Sequence, residues 1–185
     1  MSPTEYIAGF FLIIIGFSVS ELLKGTARLI RERRQINFYW PFYLVIPFIF
    51  EILIFWFIWV FTMINADTDK VWSIFEIADI SIQVIPWAFI SYLMFPSRIK
   101  EGFDMEKFYF ENAKIIIVIT IALAVYVIIR MIASGNDQGI IAVIVSLVLN
   151  IIVLFGFRKL HLVWLISTML LVNYFIFMAK PLTIG

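Results

Sequence analysis

The chain has 185 residues, of which 63% are hydrophobic and 18% aromatic, and its formal net charge is +1. Soluble domains contain about 45–50% apolar residues, so this composition excludes a soluble domain and predicts a polytopic membrane protein. With no cysteine and one histidine in the sequence, disulfides, thiolate chemistry and the usual zinc centres are excluded.

Six apolar stretches approach the ~20 residues that a helix needs to cross the hydrocarbon core. We therefore expect an all-α, six-transmembrane-helix bundle that forms a single domain over residues 1–185, with no soluble domain. The predicted spans are residues 5–24, 41–63, 72–95, 113–133, 139–157 and 161–179.

The first span carries small residues on one face, at Gly9, Gly16 and Ser20, which favour close helix packing and a homo-oligomer. The connection after it, KGTARLIRERRQINF, reads as a basic extension of the same helix, with Gly25 as the place for a bend.

Basic residues are distributed unequally between alternate connections. The first, third and fifth connections hold eleven lysines and arginines against three on the opposite side, so both termini are predicted to lie outside the cytoplasm. The eleven are Lys24, Arg28, Arg31, Arg33, Arg34, Arg98, Lys100, Lys107, Lys114, Arg158 and Lys159; the three are Lys70, Arg130 and Lys180.

Two interpretations of the cytoplasmic basic residues are open. They either orient the chain and contact anionic lipid headgroups, or they dock a cytosolic partner protein. The residues concerned are Arg28, Arg31, Arg33, Arg34, Arg98 and Lys100.

The pattern ELLKGTARLIRERRQINFYW, followed by an aromatic-rich second span, resembles one that recurs in small bacterial multi-pass inner-membrane proteins. The resemblance is best over the first two spans and weakens after them. It implies a bacterial inner-membrane location, and it implies no activity, substrate or site residue.

Glu51 is the one charged residue in the apolar run from Ile46 to Phe61. It lies about ten residues into the second span and therefore near the bilayer midplane. Because an acid facing lipid costs at least ~2.5–3.5 kcal/mol, we expect Glu51 to face the bundle interior or a pore between copies.

The third span places Glu76, Asp79 and Gln83 on one helical face at spacings of three and four, and Pro86 extends the stripe. At 1.5 Å per residue the depths are about 6, 10 and 16 Å from the outer surface, which puts Gln83 level with Glu51 and within its reach. Such a graded line predicts an inward path for a cation or proton. The alternative is interhelical hydrogen bonding that only holds the bundle together.

The fourth span begins after a helical lead-in from Asp104, and Arg130 lies in its outer half. Arg130 either pairs with Glu76 or Asp79 or extends to the headgroups. In the fifth span Ser146 and Asn150 form a polar stripe, which we interpret as a helix–helix contact.

Two functions are compatible with these features. The acidic stripe favours an oligomeric cation or proton channel or transporter. The basic connections favour a non-conducting sensor, anchor or effector subunit, such as one of a stress or phage-defence system. An enzyme is not expected, because no catalytic motif is present. No metal, cofactor or nucleic acid is predicted as a ligand. The expected partners are membrane lipids, further copies of the chain and a cytosolic protein.

Overall fold

The computed structural model describes residues 2–66, 71–135, 139–155 and 161–178. Within these ranges the chain is all-helical, as predicted, apart from two strands of two residues and one 3₁₀ helix. The short elements are the 3₁₀ helix Arg33–Gln35, β1 (Ile36–Asn37) and β2 (Phe103–Asp104). The α-helices are α1 (Pro3–Arg31), α2 (Trp40–Ala66), α3 (Ile74–Leu93), α4 (Met105–Ser134), α5 (Ile140–Leu154) and α6 (His161–Met178).

Among the described residues, four helices, α1 to α4, are long and apolar enough to cross a membrane, so the chain has the helices of a membrane protein. α5 has 15 residues and a length of about 22 Å at 1.5 Å per residue, shorter than the span predicted there and than a ~30 Å hydrocarbon core. The count of six spans and the sidedness of the termini stay predictions. Lys70, Arg158, Lys159 and Lys180, which enter the charge count, lie outside the described residues.

The chain divides into two compact units, Met1–Tyr109 and Phe110–Gly185. In the first unit α1 packs along both α2 and α3. The buried residues of α1 alternate at spacings of four and three over the whole helix, which is the 3.5-residue period of a coiled-coil seam. The seam consists of Thr4, Ala8, Phe11, Ile15, Ser18, Leu22, Gly25 and Leu29.

The glycines of α1 have different surroundings from those that the sequence predicts. A Cβ atom added at Gly9 or Gly16 would meet no described atom within 4 Å, whereas one at Gly25 would overlap the Phe95 ring. Gly9 and Gly16 therefore do not pack helices of the described chain together. Gly25 lies inside a continuous α1 and allows close approach of an aromatic ring. The bend predicted there stays a prediction.

Two capping boxes begin α1 and α3. The Ser2 hydroxyl accepts a hydrogen bond from the Glu5 N–H at 3.2 Å while the Glu5 carboxylate accepts one from the Ser2 N–H at 2.6 Å. Ser73 and Glu76 make the same pair of bonds, and each box satisfies N–H groups that a helix start leaves without intrahelical partners. Trp72 Nε1 donates to Thr4 Oγ1 at 3.0 Å, so both helix starts lie at the same end of the first unit.

The first and third connections meet at the opposite end of this unit. β1 pairs with β2 in parallel, with Ile36 beside Phe103. Arg28 donates from Nη1 to the carbonyl oxygens of Pro96 at 2.7 Å and Ser97 at 3.1 Å. We call this region, residues 28–40 and 92–104, the loop end. Its existence agrees with the predicted topology, in which the first and third connections share one side.

Both predicted helical extensions are present at the loop end. α1 continues through the basic run to Arg31. α4 begins at Met105, where Asp104 Oδ1 accepts a hydrogen bond from the Lys107 N–H at 2.9 Å and so caps the first turn.

Candidate functional site

Glu76 has a structural role at the start of α3. Its Oε2 atom accepts hydrogen bonds from the Ser73 N–H at 2.9 Å and the Ser73 hydroxyl at 3.0 Å. A carboxylate in the first turn is also stabilised by the helix dipole. The outermost acid of the predicted stripe, Glu76, is therefore a capping residue of α3.

Asp79 and Gln83 form a pair within α3. Gln83 Nε2 donates to Asp79 Oδ1 at 3.2 Å and to the Asp79 carbonyl oxygen at 3.3 Å, and both residues are half-buried. The sequence predicts Glu51 as the neighbour of Gln83, whereas the structure gives its amide nitrogen a partner on its own helix. α3 continues through Pro86, so the proline does not break the helix.

Glu51 lies at the border between buried and exposed residues of α2. At 3.6 residues per turn it is roughly 160° from the buried Ile49 but roughly 60° from Phe48, which is also buried. The half-buried carboxyl shares its face with residues four before, three after and seven after it. These are Pro47, Ile54 and Ile58, all of them exposed.

We call this partly exposed side of α2, formed by Pro47, Glu51, Ile54 and Ile58, the Glu51 face. The two environments predicted for the carboxyl, the bundle interior and a pore between copies, both stay predictions.

Arg130 lies on α4 in the second unit and is exposed. Glu76 and Asp79 belong to the first unit. The pairing of Arg130 with either acid stays a prediction.

The basic residues of the loop end fall into two groups. Arg28 is half-buried and bonded to the turn after α3, so it holds the two connections together instead of facing a partner. Arg33 donates to the Ile30 carbonyl oxygen at 3.1 Å. The others are exposed and, in the part of the chain that the structure describes, make neither hydrogen bonds nor ion pairs: Arg31, Arg34, Arg98 and Lys100.

A polar network joins the three helices of the second unit. Asn150 on α5 is 2% exposed, and its Oδ1 atom accepts bonds from Thr120 Oγ1 on α4 at 2.7 Å and from Trp164 Nε1 on α6 at 3.2 Å. Its Nδ2 atom donates to the Ser146 carbonyl oxygen at 2.7 Å. With donors and acceptors both used, Asn150 is a helix–helix contact, as its spacing from Ser146 predicts.

The partners of Asn150 could not be identified from the sequence. Thr120 stands in a continuous apolar run and Trp164 resembles an ordinary interfacial aromatic. A buried Trp needs an acceptor for its N–H, and a buried Asn supplies one; that requirement is the one signal in the sequence that could have linked them.

Asn150→Leu is expected to destabilise the second unit by about 2 kcal/mol. The change removes two interhelical bonds, from Thr120 and Trp164, worth roughly 0.6 kcal/mol each in membrane proteins, and leaves the Trp164 N–H buried without an acceptor. The free energy of unfolding in mixed detergent micelles measures the effect. Thr120→Val, which removes one bond and keeps the Trp164 bond, is the matched control and should cost under about 1 kcal/mol. Equal effects of the two changes would show that Asn150 is not the centre of the network.

Among the residues that the structure describes, no group of three His, Cys, Asp or Glu side chains is arranged to hold a metal ion. Comparison with known proteins finds no matching family model, no similar curated protein and no similar solved structure.

Proposed function

We propose that the chain is an oligomeric cation or proton channel or transporter of the bacterial inner membrane, with its loop end in the cytoplasm. The observation that carries the proposal is the position of Glu51, a half-buried carboxyl beside the exposed apolar residues Ile54 and Ile58 on a membrane-length helix. A carboxyl in contact with lipid costs at least ~2.5–3.5 kcal/mol, so surroundings that exclude lipid from this side of α2 are favoured. Other copies that cover the Glu51 face would supply such surroundings and gather the acids around a common path.

The other polar groups take supporting places in this proposal. Glu76 marks the outer end of the stripe, and the Asp79–Gln83 pair lies further along the same face of α3, where carboxylate and amide oxygens supply cation ligands. The unpacked glycines of α1, Gly9 and Gly16, leave a second face on which helices of neighbouring copies can approach closely.

A non-conducting anchor or sensor subunit is the second candidate. It is favoured by the structural roles of the acids, because Glu76 caps α3 and Asp79 bonds to Gln83. It is also favoured by the exposed basic side chains that β1 and β2 bring to one end. Ion flux through the purified chain in liposomes, with Glu51→Gln alongside, separates the two candidates.

Contact between copies through the Glu51 face can be tested by disulfide crosslinking, because the natural chain has no cysteine. Ile54→Cys and Ile58→Cys, each 43% exposed on this face, should form crosslinked dimers rapidly when membranes are oxidised. Cβ atoms must come within about 4.5 Å for a disulfide to form, so only facing positions react well.

Phe89→Cys is the control for random collision, because Phe89 is an exposed apolar residue on α3. It should crosslink slowly. If the Ile54 and Ile58 variants crosslink no faster than the Phe89 variant, the Glu51 face is not where copies meet.

A further inference from the structure

The loop end carries both exposed basic side chains and exposed aromatic side chains on the same two connections. The exposed aromatic residues are Phe38 at 72%, Trp40 at 50% and Tyr92 at 68%. Arg34 lies six residues before Trp40, and Arg98 lies six residues after Tyr92. Each connection therefore carries an exposed arginine and an exposed aromatic residue six positions apart in sequence.

In a membrane, this arrangement would set the depth of the arginines. Exposed Trp and Tyr rings at helix ends lie at the level of the lipid headgroups. The backbone between each ring and its arginine is held, in one connection by the β1–β2 pairing and in the other by the Arg28 bonds to Pro96 and Ser97. The guanidinium groups are thus expected at the level of the headgroup phosphates.

The charges at the loop end are also available to a ligand. Acidic residues are close in sequence, but Asp104 caps α4. In the described part of the chain neither Arg34 nor Arg98 makes an ion pair. Arginine binds phosphate oxygens through two parallel N–H donors, so the vacant donors match a phosphodiester.

We infer that the loop end is a binding site for anionic phospholipid headgroups of the adjacent leaflet, with Arg34 and Arg98 as the main phosphate ligands and Trp40 and Tyr92 beside the acyl-chain boundary. Arg28 is a positioning residue that holds the third connection against α1. This lipid site does not require that the chain conduct ions, so the inference holds equally for a non-conducting subunit.

Native mass spectrometry of the full chain in detergent tests the inference, with phosphatidylglycerol and phosphatidylcholine of identical acyl chains as probes. Phosphatidylglycerol should bind more tightly. The double variant Arg34→Gln/Arg98→Gln should bind it roughly 30-fold more weakly, because each basic residue near the surface contributes about 1 kcal/mol and 1.4 kcal/mol is tenfold. An unchanged circular dichroism spectrum shows that the variant is folded.

The charge-matched control is Lys24→Gln/Lys107→Gln, in which Lys24 is already paired with Glu21 at 3.0 Å. It should bind phosphatidylglycerol nearly as the natural chain does. Equal binding of the two lipids, or equal loss in both double variants, would overturn the inference in favour of diffuse attraction.

Two further results would assign the loop end to another ligand. Displacement of phosphatidylglycerol by inorganic phosphate at equal concentration would mean that a soluble anion is bound. Loss of a co-purifying cytosolic protein from Arg34→Gln/Arg98→Gln, with lipid binding unchanged, would mean that the surface is for a protein partner.

Discussion

Gly25→Ala is expected to lower the free energy of unfolding by about 1–3 kcal/mol, the usual cost of forcing an extra carbon into a filled core. The added Cβ atom would overlap the Phe95 ring, and Phe95 packs edge-on against Phe42 at a centroid distance of 6.1 Å. Moving the ring therefore also disturbs the start of α2. Thermal unfolding of the purified chain in detergent measures the loss.

Two companion variants identify the cause of that loss. Gly16→Ala, on the same helix with no described atom within 4 Å of the new Cβ, should be neutral or stabilising by up to about 1 kcal/mol, because alanine is the better helix former. Gly25→Ala combined with Phe95→Ala should cost less than the two single changes added together. If Gly25→Ala is as stable as Gly16→Ala, the α1 seam does not pack as described.

Sequence reasoning predicts most of the helical architecture of this chain because length and hydropathy set it. The basic run after the first span indicates that α1 continues beyond the apolar stretch, and it ends at Arg31. Asp104 indicates the start of α4 through its capping chemistry. The extension of α1 and the start of α4 are set by residues close in sequence, so both can be predicted from the sequence alone.

The direction of helix faces could not be predicted in the same way. α2 is apolar on every side from Ile46 to Phe61 apart from Glu51, so no periodicity shows which side is packed. In α1 the small residues Gly9 and Gly16 suggest a packing face, yet the buried seam is a different stripe that mixes small and large side chains. Neighbouring helices decide which face is buried, and one sequence does not contain that information.

Charge counting treats Arg28, Arg34 and Arg98 alike. The structure separates them, because Arg28 donates to backbone carbonyls of another connection whereas Arg34 and Arg98 are exposed. These contacts join residues about 70 positions apart in sequence. They depend on tertiary structure, so the spacing of basic residues along the chain does not predict them.

Glu51→Gln is expected to reduce ion flux at least tenfold, the effect of about 1.4 kcal/mol on the barrier. The amide keeps the size of the side chain and can still form hydrogen bonds, but it cannot exchange a proton or carry the negative charge that attracts a cation. Stability should change by less than about 0.5 kcal/mol, so loss of flux would not reflect unfolding.

Two further substitutions test whether Glu51 acts through its charge or only as a contact between helices. Glu51→Asp retains a carboxyl group one methylene shorter and should keep part of the flux. Glu51→Leu removes the polar group; if Glu51 is only a contact, this change weakens the assembly by ~1–2 kcal/mol or less and Glu51→Gln has no effect on flux.

The most direct test of the central claim is proton and potassium flux into liposomes that contain the purified chain, compared with liposomes that contain the Glu51→Gln variant at equal protein density. The proposal predicts that the natural chain dissipates an imposed ion gradient and that the variant does so at least about ten times more slowly. No flux above protein-free liposomes for either ion, or equal flux with and without the Glu51 carboxyl, would contradict it.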